Sequence, residues 1–136
     1  NINTTNKAKK YLLDGGLLII FPSGGVTVSK NREEAMEKDH WKLFTAKLIQ
    51  QTKSDVLPIY FDGRNGFLFN LFATKIKSQT LKYSSYLHET RKKIGKEIII
   101  YSGNIIKFSD MNEIKDRNNL MNYLKMKTYN LVNKND

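Results

Sequence analysis

Two short polar stretches carry the residue types that bind anions. In Ser23-Gly24-Gly25-Val26-Thr27 the glycines leave backbone N–H groups open to close approach, and Ser23 and Thr27 add hydroxyl donors. In Asp62-Gly63-Arg64-Asn65 the Arg64 guanidinium can grip a phosphate through two parallel bonds, beside the amide of Asn65. Taken singly each is a weak signal, because a Ser-Gly-Gly turn is often chosen for backbone freedom and a lone arginine is commonly a surface residue. Their weight comes from position. Both follow apolar runs of strand length, and ligands of open α/β sheets bind at loops leaving the carboxyl ends of strands. The expectation is that the two stretches converge on one cleft at one edge of a sheet.

The elements that must position them are legible from apolar patterning. Ala8, Tyr11 and Leu12 fall at helical spacing from residue 7 to 13, and Asp14-Gly15-Gly16 stops that helix. Leu17-Leu18-Ile19-Ile20-Phe21 is a continuous apolar run ending at Pro22, which reads as a central strand buried on both faces. The charged stretch from residue 28 to 39 reads as a long loop or exposed irregular segment. Phe44, Ala46, Leu48 and Ile49 predict a helix within residues 41–51, closed by turn formers at residues 52–55. Val56-Leu57-Pro58-Ile59-Tyr60-Phe61 predicts a second strand that is an edge, or irregular, at Pro58, since proline donates no ladder hydrogen bond. Residues 67–72 and 80–93 read as helical, and Ile98, Ile99 and Ile100 as the body of a third strand closed by Ser102-Gly103. Asp110 or Asp116 is a candidate cap for a last helix, over about 117–133, whose apolar face holds Leu120, Tyr123, Leu124 and Leu131. Alternating helices and strands predict an α/β layered domain, with a mixed, mostly parallel central sheet flanked by helices.

The chain has 136 residues, 40% of them hydrophobic and 26% charged, enough for one domain spanning 1–136 with a single core. There are no cysteines, which excludes disulfides and thiolate metal sites. His40 and His88 begin no zinc-type spacing, so no metal is expected. No apolar stretch approaches the ~18 residues of a spanning helix, and no signal peptide is visible. Twenty-three Lys and Arg against 13 Asp and Glu give a formal charge of +10, which favours anionic partners: nucleic acid, an anionic membrane surface or an acidic carrier protein. Charge alone does not separate these, and a solvated lysine-rich surface explains many of the lysines equally well.

The order of the pieces adds a resemblance. The blocks Gly16 to Gly24 (Gly-Leu-Leu-Ile-Ile-Phe-Pro-Ser-Gly), Asp39-His40-Trp41-Lys42, Ala46-Lys47-Leu48, and Val56 to Asn65 with Pro58 and Gly63-Arg64-Asn65, followed by Leu68-Phe69, resemble the later motifs of the glycerolipid acyltransferase superfamily. The branch they are most similar to is that of the hemolysin-like lysophospholipid and ornithine-lipid acyltransferases, over about residues 7–106. The resemblance implies that Phe21, Pro22, Ser23 and Gly24 line the pocket for the phosphate or head group of the acyl acceptor. It also makes Pro58 an ordinary feature of its strand. Many members carry Glu at the position of Ser23 and Thr-Arg-Ser at those of Gly25-Val26-Thr27; a small residue before the glycine favours the hemolysin-like branch.

Members of this superfamily use a His followed five positions later by an Asp, the His taking the acceptor's proton. Here Thr45 stands five positions after His40 and Lys93 five after His88, so the pair is absent and no catalytic residue is assigned. His40, beside Trp41, reads as structural or exposed. The expectation is therefore the C-terminal, acceptor-binding part of an incomplete acyltransferase fold, inactive alone. The implied intact enzyme transfers a fatty acyl group from acyl carrier protein or coenzyme A to a lysophospholipid or related lipid acceptor, by direct attack of the activated acceptor on the thioester. No bound cofactor is implied, and the implied location is cytoplasmic, peripheral to the inner face of the membrane. Two other readings stand beside it. A basic nucleic-acid-binding module would need aromatic-flanked basic faces that are not legible here. A phosphate-binding enzyme of another family lacks its usual glycine-rich fingerprint.

Overall fold

The computed structural model describes residues 2–24, 32–62, 87–88, 90–92 and 94–132. Helix α1 spans Ile2–Leu13, starting earlier than the apolar spacing predicts. It stops as its sequence dictates. Gly15 takes φ of 85°, and the Gly16 and Gly15 N–H groups donate to the carbonyls of Tyr11 and Leu12 at 2.9 and 3.1 Å. This 6→1 and 5→2 pairing satisfies carbonyls the helix leaves open. The Tyr11 ring covers Gly16, leaving no room there for a side chain.

Residues 17–21, expected as a buried central strand, form none. Leu17 is 79% exposed, Ile19 74% and Phe21 67%. A strand exists only through its ladder, and no described residue pairs with this run. Apolar content predicted burial without specifying the neighbour that would provide it. The charged segment after it is also corrected. Arg32–Lys38 is helix α2, with Glu33 and Glu34 in its first turn and Lys38 in its last, where each complements the helix dipole, and a Lys38–Glu34 ion pair on one face.

Helix α3, Phe44–Thr52, buries Ala46, Leu48 and Ile49. It ends where Thr52 turns its hydroxyl onto the Leu48 carbonyl, at 2.8 Å, and Lys53 enters the left-handed region at φ 54°. Strand β1, Ile59–Asp62, pairs antiparallel with β2, Ile99–Ser102, in the register Ile59 opposite Ser102 and Asp62 opposite Ile99. Beyond Pro58 the same two segments meet once more, as an antiparallel bridge between Val56 and Ile106. Pro58 interrupts the ladder as expected, yet its carbonyl still accepts from Gly103 N–H at 3.0 Å.

The described chain is thus a small mixed α/β fold, and its sheet is two-stranded and antiparallel. The mostly parallel layered sheet is not found among the described residues. Alternation of helices and strands does not specify the relative direction of paired strands, and β1 and β2 run opposite ways.

Helix α4, Phe108–Met111, and helix α5, Arg117–Tyr129, follow β2. Of the two cap candidates Asp116 is the one used, its carboxylate accepting from Asn119 N–H at 2.9 Å. Ala46 and Ile49 from α3 pack with Ile106, Met111, Leu120, Met121 and Leu124; Trp41, Val56 and Tyr123 close the margins. Each large apolar side chain buried here contributes about 1.5–3 kcal/mol. Gln50 pins the two main helices at one end: its amide donates to the Lys115 carbonyl at 2.9 Å, and its oxygen accepts from Arg117 Nε at 3.1 Å. Among the described residues no helix is long and apolar enough to cross a membrane.

Candidate functional site

The apolar run of residues 17–21 ends in a tight turn. Gly24 N–H donates to the Phe21 carbonyl at 3.0 Å, and Gly24 takes φ of 65°, a conformation that side chains oppose. A second segment, residues 39–42, lies against the turn and holds it. Lys42 N–H donates to the Pro22 carbonyl at 2.9 Å, and the Lys42 side chain crosses Gly24.

That strap is itself fixed by a buried carboxylate. Asp39 is only 8% exposed; its Oδ2 accepts from Trp41 Nε1 at 2.8 Å and from the Tyr129 hydroxyl at 3.1 Å. Its backbone carbonyl accepts from Lys125 Nζ at 3.1 Å. Hydrogen bonds of this kind let a charged group be buried at tolerable cost. Burial, with the Asp39 charge next in effect, pushes the Tyr129 phenol well above its ordinary range, so it stays a donor. The Tyr129 ring also meets the ring of Tyr60 on β1, centroids 5.5 Å apart. The strap, β1 and α5 are therefore joined at one place.

The end of β1 also meets the start of the turn. The rings of Phe21 and Phe61 are 6.2 Å apart between centroids, tilted by 38°. Asp62, the last residue of β1, follows Phe61 directly. Of the predicted site residues, Phe21, Pro22, Ser23 and Gly24 are described, with Pro22 and Ser23 half-buried; Gly25, Thr27, Arg64 and Asn65 lie outside the described residues. The Phe21–Phe61 contact brings together residues that precede the two predicted loops, most of which lie outside the described residues. His40 is exposed on the strap, and among the described residues no group of three or more His, Asp or Glu gathers as a metal site would need.

Comparison of the chain with protein-family models, with curated proteins and with solved structures found no match in any of the three.

Chemically, the arrangement offers a turn with a cation across it and exposed aromatic surface beside it. Sequence reasoning named the turn but gave Asp39 and Lys42 no role. Asp39-x-Trp41 is a weak signal of a carboxylate–indole bond, and the Tyr129 partner, 90 positions away, leaves no local trace.

Proposed function

We propose that this chain forms the acceptor-binding part of an acyltransferase that moves a fatty acyl group from an acyl thioester to a lysophospholipid or related lipid acceptor. The observation that carries the reading is the Phe21–Phe61 contact, which sets the Phe-Pro-Ser-Gly turn beside the end of the Pro58 strand. Those are the two blocks on which the sequence resemblance rests. The turn and Lys42 would take the head group, while Phe21 and Phe61 give an apolar wall for the start of the acyl chain. The acyl donor in this reading is a thioester of acyl carrier protein or coenzyme A, and the net charge of +10 suits an anionic membrane surface at the inner face. The exposed run of residues 17–21 and the edges of β1 and β2 that pair with no other described residue are where strands of a layered, mostly parallel acyltransferase sheet would add. Proton abstraction from the acceptor is left to a His–Asp pair this chain does not carry.

The test is a titration of the isotope-labelled chain with a short-chain lysophospholipid, following backbone amides. Phe21, Gly24 and Phe61 are expected to shift together and saturate. Shifts scattered over the lysines, with tight oligonucleotide binding that falls steeply with salt, would replace this reading by nucleic-acid binding.

A further inference from the structure

Tyr129 reaches the candidate site by two separate routes. Through its hydroxyl it meets Asp39 Oδ2 at 3.1 Å, and from Asp39 the strap leads to Lys42, whose N–H donates to the Pro22 carbonyl. Through its ring it meets Tyr60, and the next residue of β1 is Phe61, whose ring faces Phe21. The two routes close on Phe21-Pro22, so the contacts form a ring. One phenol therefore bears on both halves of the site, the turn and the end of β1.

Asp39 is the joint of this ring. Its N–H donates to the Ala35 carbonyl of α2 at 2.9 Å, its Oδ2 takes the Trp41 indole as well as the Tyr129 hydroxyl, and its carbonyl takes Lys125 Nζ at 3.1 Å. A carboxylate oxygen can accept two donors at once, so a single atom orients the indole of the strap against the phenol of α5. Lys125 and Tyr129 stand four residues apart on α5, hence on one face, and hold the backbone and the side chain of the same residue. The three residues from Asp39 to Lys42 span at most about 11 Å, and Lys42 stands two residues before α3. A segment that short, pinned at both ends, passes a displacement of Asp39 on to the Lys42 N–H. We infer that Asp39 and Tyr129 are positioning residues, which set the Phe21-to-Gly24 turn against the end of β1, so that α5 governs how well the site binds. What is bound rests on the acceptor-site reading above; what is positioned rests on the ring of contacts alone.

The experiment has a ligand-free arm and a binding arm, both on the isotope-labelled chain well below its unfolding transition. Without ligand, Tyr129→Phe keeps the ring beside Tyr60 and removes only the hydroxyl; it is expected to move the Trp41 Nε1–H, Lys42 and Gly24 signals while Val56, bonded to Ile106 at the core, stays in place. A purely structural role would lower the unfolding midpoint and leave the Lys42 and Gly24 signals where they are, which would overturn the inference. In the binding arm the probe is a short-chain lysophosphatidylcholine below its micelle concentration. Tyr129→Phe and Asp39→Ala should each weaken it about fivefold, within the range for residues that act on a ligand through others. Asp39→Asn, which keeps an acceptor oxygen, should recover part of that loss, and it decides the matter with Tyr129→Phe if Asp39→Ala does not fold. Lys127→Gln, two residues from Tyr129 and stacked on Tyr123, should change neither arm. Wild-type affinity in both Tyr129→Phe and Asp39→Asn overturns α5's control of binding and leaves the acceptor site standing. No binding by the wild-type chain overturns the acceptor-site reading, whereas signal changes confined to the strap and turn still support Asp39 and Tyr129 as the residues that set them.

Discussion

The Tyr129 hydroxyl donates to Asp39 Oδ2 at 3.1 Å, tying the end of α5 to the strap that holds the candidate site. The same oxygen takes the Trp41 indole N–H at 2.8 Å. Through Lys42 and Pro22, the last helix and the Phe21-to-Gly24 turn are thereby parts of one connected structure. Stability and site geometry should respond together when this bond is cut.

Tyr129→Phe removes one donor to a buried carboxylate and little volume. The expected cost is about 1.5–3 kcal/mol, the range for a hydrogen bond to a charged group. Urea unfolding should show a lower midpoint with an unchanged slope, since the surface exposed on unfolding is the same. A midpoint equal to wild type would mean that the bond contributes nothing in solution.

The same residue gives a dependence on alkaline pH. The phenol is raised in the folded chain by burial and by Asp39, whereas in the unfolded chain it titrates near its ordinary value of about 10. Above about pH 10 the unfolded state therefore binds fewer protons than the folded one, and stability falls as pH rises. Unfolding midpoints between about pH 9 and 12 should fall less steeply in Tyr129→Phe than in wild type. Parallel slopes would show that another group carries the effect.

Legibility in the sequence followed the range of the interactions. The Gly15-Gly16 stop, the body of α3 and the interruption at Pro58 are set by neighbours within a few residues and are readable, whereas for the last helix the sequence offers Asp110 or Asp116 and the structure uses Asp116. The run of residues 17–21 was misread because burial requires a partner that the run itself does not specify. Helix α2 was missed because its charged composition hid a helix whose ends match the dipole in sign. Antiparallel pairing of β1 with β2 depends on two segments far apart in sequence, as does the Asp39–Tyr129 bond. At the candidate site the turn was legible from its glycines, whereas the cation across it required tertiary knowledge of where residues 39–42 pass.

Asp55 links the start of α4 to the segment before β1. Its carboxylate accepts from Lys107 Nζ at 2.9 Å and from Phe108 N–H at 2.8 Å, and the Lys107 bond, with Phe108 next, holds it below the usual carboxylate range. A carboxylate depressed by folding contributes above its unfolded value, about 3.9, and loses that contribution as pH falls through the lower folded value. Asp55→Asn should therefore lower the thermal midpoint at pH 6, and the gap from wild type should narrow below about pH 4. An equal gap at pH 6 and pH 2.5 would exclude the charge as its source.

Gly103 faces a tight contact. An added Cβ would meet Pro58 Cγ and Leu131 Cδ2, each at 2.9 Å, while Gly103 N–H donates to the Pro58 carbonyl. Pro58 is buried and rigid, so only Leu131 can yield. Gly103→Ala should cost about 1–3 kcal/mol by overpacking, seen as a lower urea midpoint. A neutral or stabilising result would show that Leu131 moves aside freely.

Function is tested most directly by what the chain does alone and by Arg64. Under the acyltransferase proposal the purified 136-residue chain is expected to give no acyl transfer from a thioester to a lysophospholipid, because neither His40 nor His88 is followed five positions later by the Asp that the proposed chemistry would use. If Arg64 belongs to the head-group site, Arg64→Ala should weaken binding of a phosphorylated lipid by about tenfold or more, the scale of a charged hydrogen bond to one phosphate. Lys115→Ala, a single exposed cation beside Gln50, should change it by much less. A diffuse polyanion site predicts a different pattern, with both variants losing similar small amounts and the affinity for an oligonucleotide falling steeply with salt. Titrating wild type and both variants against vesicles containing lysophosphatidate, and against a DNA or RNA oligomer, separates the two. Equal small losses with tight oligomer binding would remove Arg64 from the site, and robust turnover by the chain alone would refute the assignment of catalysis to a pair it lacks.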